Sequence, residues 1–143
     1  MIIRKMVEND IPELATLYKQ FWHEDSCIET MHRQFKKFRE NGTHVLLSAI
    51  ENECLIGSVM GVICEELYGN CKPFMVLENM IVDNKYRNKG IGKALIAELE
   101  KIAIDISCTQ IILITEVDRI AACKFYESAG YSPTKNRGFK KKL

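Results

Sequence analysis

A chain of 143 residues is long enough to bury a real core and short enough for one domain, so residues 1–143 read as a single domain. With 47% hydrophobic and 27% charged residues the composition is globular, and a net charge of +1 excludes the broad basic field that nucleic-acid binding uses. The basic tail KNRGFKKKL reads as a solvated strand edge, and no run approaches the roughly 20 apolar residues that span a bilayer.

Six cysteines (Cys27, Cys54, Cys64, Cys71, Cys108 and Cys123) show no C-x-x-C spacing, and His23, His32 and His44 add no metal spacing. No metal site is expected. The N-terminal MIIRKMVEND has no apolar signal region, so the thiols read as reduced, mostly buried groups of a cytoplasmic protein.

IIRKMV alternates apolar and polar residues and predicts a first strand. NDIPEL predicts a helix start, with Asp10 as N-cap, Pro12 in the first turn and Glu13 completing a capping box. Leu14, Leu17, Tyr18 and Phe21 then share one face. A second helix is expected over about 29–40, with Met31, Phe35 and Phe38 on its apolar side and Gly42 as its C-terminal cap. HVLLSAIE, CLIGSVMGVICEEL and PFMVLENMIV predict three antiparallel strands, in which Gly57 and Gly61 mark bends or close backbone approaches. Helical spacing returns after Gly90, with Ile91, Leu95, Leu99, Ile102 and Ile106 on one side. TQIILITEV predicts a strand, RIAACKFYESAG a short helix ending at Gly130, and GFKKKL a final edge strand. The order is β-α-α-β-β-β-α-β-α-β, a mixed α/β (α+β) fold.

The segment YRNKGIGKAL, residues 86–95, lies between a strand and an amphipathic helix. A P-loop fails because Arg87 stands where its first glycine belongs and Ala94 where its Ser/Thr belongs. A dinucleotide fingerprint fails because its third glycine is Leu95. What remains is R-x-x-G-x-G, either a simple strand-to-helix turn or a metal-free anion cradle. In the second reading glycines leave amides 88–93 free, the helix dipole contributes, and Arg87, Lys89 and Lys93 supplement them.

Three pieces together carry a resemblance to the GCN5-related N-acetyltransferases, the GNAT family. YRNKGIGKAL resembles that family's acyl-CoA pyrophosphate loop, Q/R-x-x-G-x-G/A. LENMIVD matches the strand before it. RIAACKFYESAGY resembles N-x-x-A-x-x-x-Y-x-x-x-G-F/Y, with Ala122, Tyr126, Gly130 and Tyr131 in register and Arg119 in place of the usual Asn. The element order agrees over nearly the whole chain and implies a mostly antiparallel central sheet flanked by helices.

The resemblance implies direct acetyl transfer from acetyl-CoA to an amine, without an acyl-enzyme. Such chemistry needs a group to take the amine proton, a fixed donor for the thioester oxygen, and an acid for a thiolate of pKa about 8.5. The resemblance assigns the pyrophosphate to Arg87, Asn88, Lys89, Gly90, Ile91, Gly92 and Lys93, and the pantetheine arm to the backbone of Met80, Ile81 and Val82, with Arg119 standing at the Asn position. It gives Tyr126 as the acid. Glu78, a carboxylate in the apolar run MVLENMIV, is either the base, tuned by burial, or an exposed strand residue or substrate-orienting carboxylate. The base of the histone-modifying branch lies two residues earlier, at Val76 here, which disfavours that branch. Trp22, Glu24, Asp25 and Glu78 form the expected acceptor side, and Glu65 and Glu66 add to an acidic mouth. These residues and the resemblance to aminoglycoside and polyamine enzymes point to a small cationic amine as acceptor. Protein or peptide amines, or acyl-CoA binding without catalysis, are the alternatives. Pairing of relatives through edge strands implies a homodimer; no nucleic acid or membrane partner is expected.

Overall fold

A computed structural model describes residues 1–143, which fall into two compact units, Met1–Ile112 and Leu113–Leu143. In the first unit, strand β1 (Ile2–Lys5) is followed by helices α1 (Ile11–Trp22) and α2 (Ile28–Asn41). Strands β2 (His44–Glu51), β3 (Cys54–Cys64) and β4 (Phe74–Val82) come next, then α3 (Ile91–Asp105) and the short β5 (Ile111–Ile112). They build one five-stranded sheet in the order β1-β2-β3-β4-β5, antiparallel except for the parallel β4–β5 pair. The mostly antiparallel sheet and the helices around it agree with the sequence expectation.

Helix α1 buries Ile11, Leu14 and Leu17 against Met6, Phe35 of α2, Leu55 and Ile81, the cluster that covers one sheet face. Apolar residues at helical spacing produce that face, as the sequence predicts. The other face is covered by α3, whose Ile91, Leu95, Ile96, Leu99 and Ala103 are buried. Gly57 and Gly61 permit this packing. A Cβ at Gly61 would lie 2.7 Å from Met75 Sδ and 2.8 Å from Leu99 Cδ1, and one at Gly57 3.0 Å from the Ile81 carbonyl oxygen. Close approach is realised at both, and Gly57 also adjoins the register shift where Ile56 is the extra residue against β2.

Asp10 does not cap α1 with its side chain. Its carboxylate, 7% exposed, accepts from both Arg4 terminal nitrogens at 2.7 and 2.8 Å, from the Ser48 hydroxyl at 2.8 Å and from the Val7 N–H at 3.1 Å. Burial pushes this carboxyl up, but these donors outweigh burial and hold it below the usual carboxylate range. Glu13 likewise accepts from the Leu55 N–H on β3 at 2.6 Å rather than closing a capping box. Tertiary partners win over local capping in both cases. Gly42 does end α2 with φ +65° and its N–H on the Phe38 carbonyl.

Two strand expectations are corrected. TQIILITEV contributes only Ile111–Ile112 to the sheet. GFKKKL forms no strand, because the second unit contains only α4 (Ile120–Ser128) and offers no strand for it to pair with. The cysteines are corrected too: Cys27, Cys54 and Cys71 are exposed and Cys64, Cys108 and Cys123 half-buried, all free. They sit at helix and strand ends, in loops and on the short α4 rather than on core-facing positions. No helix is long and apolar enough to cross a membrane, and no group of three His, Cys, Asp or Glu is arranged to hold a metal ion.

Candidate active site

Strand β4 carries the first element of the site. Its register with β3 shifts by one residue between Ser58↔Ile81 and Met60↔Glu78, so Asn79 and Met80 together oppose Val59. Asn79 has φ +50°, a left-handed conformation that Asn tolerates better than most residues. This bulge reverses the faces of the strand. Leu77 lies opposite Gly61 on the α3 side, whereas Ile81, which would follow it in an unbroken alternation, joins the α1 cluster. Glu78 lies opposite Met60 and shares the α1 side with Ser58 and Ile81. It is exposed, so the burial expected to tune it is absent. The bulge turns β4 within a stretch that carries no strand on its outer edge: β5 pairs only with Met75 and Val76, leaving Leu77–Val82 unpartnered there.

At the end of that open edge the chain enters the glycine loop. Asp83 accepts from the Lys85 N–H at 2.8 Å, closing a tight turn over Asn84–Tyr86, and Arg87 Nε donates to the Val82 carbonyl at 3.3 Å. Asn88 takes φ +60° and Gly90 φ +80°, and Gly90 is the N-cap of α3 with no side-chain cap. A Cβ at Gly90 would meet nothing within 4 Å, so it is the dihedral, not space, that calls for glycine. The first intrahelical bond runs from Ala94 N–H to the Gly90 carbonyl, which leaves the N–H groups of Ile91, Gly92 and Lys93 facing out of the helix start. Arg87, Lys89 and Lys93 are exposed around them, Lys89 with its ammonium 4.9 Å from the Tyr86 ring centre. Open amides, a helix dipole and three cations fit an anion without a metal.

Helix α1 supplies the third element. Trp22, its last residue, is 45% exposed and meets Tyr18 and Phe21 edge to face at 5.1 and 4.8 Å. Burial raises the Tyr18 phenol to about 12. The following His23 ends the helix in the left-handed region at φ +58°. Glu24 and Asp25 are exposed, and Asp25 pairs with Lys19 at 2.7 Å. Glu65 and Glu66 line an open depression of about 530 Å³ with Leu67, Cys71 and Pro73. That depression contains no residue of the glycine loop.

Tyr126 and Arg119 belong to the second unit. Tyr126, half-buried on α4, meets Phe125 and Tyr131 edge-on at 5.2 and 6.2 Å, and its carbonyl accepts from the Tyr131 N–H beside Gly130 at φ +95°. Arg119 is the N-cap residue of α4 and bonds Thr115 Oγ1 at 3.3 Å, with Glu116 at 3.9 Å. The structure thus brings Glu78, Met80–Val82 and residues 87–93 onto one strand–loop–helix unit and collects Trp22, Glu24 and Asp25 at the end of α1.

The acetyltransferase (GNAT) family model matches residues 11–131, from the start of α1 through α4. This chain belongs to that family. It is similar to the glucosamine 6-phosphate N-acetyltransferase of Arabidopsis thaliana, 29% identical over 73% of this chain and 70% of that protein. For most of the curated relatives it matches, the chain spans about half of their length or less. Among solved structures, one from Agrobacterium tumefaciens strain C58 is 22% identical over 100% of both chains, with a TM-score of 0.91. The aminoglycoside antibiotic 6'-N-acetyltransferase AAC(6')-IG from Acinetobacter haemolyticus is 19% identical over 100% of this chain and 99% of that one, with a TM-score of 0.80. At such identities these likenesses establish the GNAT fold.

Three features escaped the sequence reading. Asn79 had a readable signal, an αL-tolerant residue inside an apolar strand. Asp83 had one too, since Asp followed by two turn residues is a local capping pattern. Gln20, which bonds Asp83 and Asn84 from α1, had none, because its partners lie 63 and 64 residues away.

Proposed function

We propose that residues 1–143 act as one acetyltransferase domain that moves an acetyl group from acetyl-CoA to a primary amine of a small cationic molecule, aminoglycoside-like or polyamine-like. The observation that carries this reading is the open outer edge of β4 beyond Val76, running directly into the uncapped glycine start of α3. An extended amide-bearing arm can pair with such an edge while a pyrophosphate rests on the adjoining helix amides. Acetyl-CoA, when bound, supplies an acetyl group activated as a thioester.

The chain's residues then divide the work. Arg87, Asn88, Lys89, Gly90, Ile91, Gly92 and Lys93 hold the pyrophosphate, and Arg119 joins the cofactor contacts on the motif alone. Backbone groups of Met80, Ile81 and Val82 align the arm, one of their amides donating to the thioester oxygen. Glu78, exposed on the α1 side, orients the ammonium and accepts its proton through solvent. Trp22 offers a ring face, and Glu24 and Asp25 offer charge to the cation, although Lys19 already answers Asp25. As the C–N bond forms and the C–S bond breaks, the Tyr126 hydroxyl, assigned on the motif alone, gives its proton to the departing sulfur, and its phenolate is restored by the second proton that the nitrogen sheds through solvent on becoming an amide. Atoms and charge balance: amide, free thiol and one proton result.

The Arabidopsis relative favours a second reading within the same chemistry, an amine on a phosphorylated sugar. The test is turnover with acetyl-CoA against a panel of aminoglycosides, polyamines, glucosamine 6-phosphate and an N-terminal peptide, followed as release of CoA thiol. Turnover highest on a non-phosphorylated cationic amine supports the proposal. Preference for glucosamine 6-phosphate or the peptide overturns the acceptor assignment, and no turnover on any member leaves an acyl-CoA-binding protein.

A further inference from the structure

Helix α1 hydrogen-bonds the turn that opens the glycine loop through the Gln20 side chain. Gln20 Nε2 donates to Asp83 Oδ2 at 2.9 Å, and Gln20 Oε1 accepts from the Asn84 N–H at 3.2 Å. Both ends of a single half-buried carboxamide are therefore spent on the turn that opens the loop. Asp83 is held from other sides as well: its second oxygen accepts from Lys85 N–H, its own N–H donates to the Ile56 carbonyl on β3, and its carbonyl accepts from Tyr86 N–H. Downstream, Asn88 and Gly90 both sit at positive φ, a backbone whose placement must be imposed by its surroundings. Two residues beyond Gln20, the helix ends at Trp22.

We propose that Gln20 is a positioning residue that couples the anion-holding loop to the acceptor side of the site, so that loading of acetyl-CoA on residues 87–93 is felt at Trp22. This rests on the acyl-CoA reading above. One carboxamide sets both the register of the loop and the seat of the last turn of α1, and a change in one is passed to the other. The arrangement also gives the Asp83 carboxylate, an acidic group at the mouth of an anion cradle, a fixed structural use.

The protein carries its own reporter, because Trp22 is the single tryptophan of the chain. The experiment titrates acetyl-CoA into wild type, Gln20→Glu, Asp83→Asn and the Gln20→Glu/Asp83→Asn pair, reading Trp22 emission and calorimetric affinity. Amide hydrogen exchange of residues 84–93 is read without ligand. Gln20→Glu faces Asp83 with a second carboxylate; the expected result is about tenfold weaker binding, faster loop exchange and loss of the emission response. In the double variant the carboxylate introduced at position 20 accepts from the carboxamide introduced at position 83 and from the Asn84 N–H, at the wild-type net charge, and all three readouts return toward wild type. Wild-type affinity, exchange and emission in Gln20→Glu would overturn the proposal, as would a double variant no better than the single one. A wild-type protein that binds no acetyl-CoA would instead bring down the acyl-CoA reading, and the coupling with it; loop exchange alone would then show whether the clamp orders the turn.

Discussion

The two ends of α1 are fastened by polar groups of opposite kind. Near its start, Asp10 is buried and satisfied by Arg4 of β1, Ser48 of β2 and the Val7 N–H between β1 and α1. Near its end, Gln20 reaches an exposed turn through a neutral amide. A buried carboxylate with four donors is costly to disturb and therefore serves stability. An amide on an exposed turn adds little to stability but fixes where that turn lies. One helix thus carries a structural anchor and a functional one.

Breaking the structural anchor has the largest expected effect on stability. Arg4→Ala leaves the buried Asp10 without its half-exposed cation and lowers unfolding free energy by about 2 kcal/mol in urea titration, with acetyl-CoA affinity unchanged. Loss of affinity in step with stability would erase the distinction between the two ends. Next is the catalytic proton. Tyr126→Phe lowers kcat about a hundredfold by the thiol-release assay while calorimetric affinity for acetyl-CoA stays near wild type; an unaltered rate would remove Tyr126 as the acid. Gly90→Val forces a β-branched residue to φ +80° and weakens acetyl-CoA binding about tenfold, with a fall in stability well below that of Arg4→Ala.

The smallest effect at neutral pH appears only in acid. Because the Asp10 carboxyl is held below its ordinary 3.8, the stability it brings is fully present above that value and is lost as pH falls through its lower folded value. Wild type should therefore show flat stability from neutrality to about pH 4 from this group and a decline below it. In Arg4→Ala burial no longer meets its main opposition, the folded carboxyl rises toward its unfolded value, and this acid decline shrinks. Coincident curves would mean that Arg4 does not hold the carboxyl down.

Much of this was legible from residue order. Helical spacing identified the faces of α1, α2 and α3, and β-branched runs identified β2 to β4, because burial of one face leaves a periodic trace. The glycine loop was legible through exclusion of the two better-known phosphate motifs on Arg87, Ala94 and Leu95. What stayed hidden depended on partners distant in sequence. Asp10 reads as a cap until Arg4 and Ser48 are seen beside it. Glu78 reads as a buried base or an exposed strand residue until the packing of its face is seen, and it proves exposed on the α1 side. GFKKKL reads as a strand only if another strand lies alongside to accept it. Cysteines in apolar runs looked buried, but they fall at the ends of those runs, where the core has already stopped.

The most direct test is calorimetric titration of the intact protein with acetyl-CoA, alongside adenosine diphosphate. One site per chain is expected, with acetyl-CoA bound well beyond the diphosphate because the β4 edge adds to what the loop holds. Equal affinity for the two would leave the loop as a phosphate cradle without a role for that edge. No binding of either would make residues 86–93 a strand-to-helix turn and contradict the proposed function.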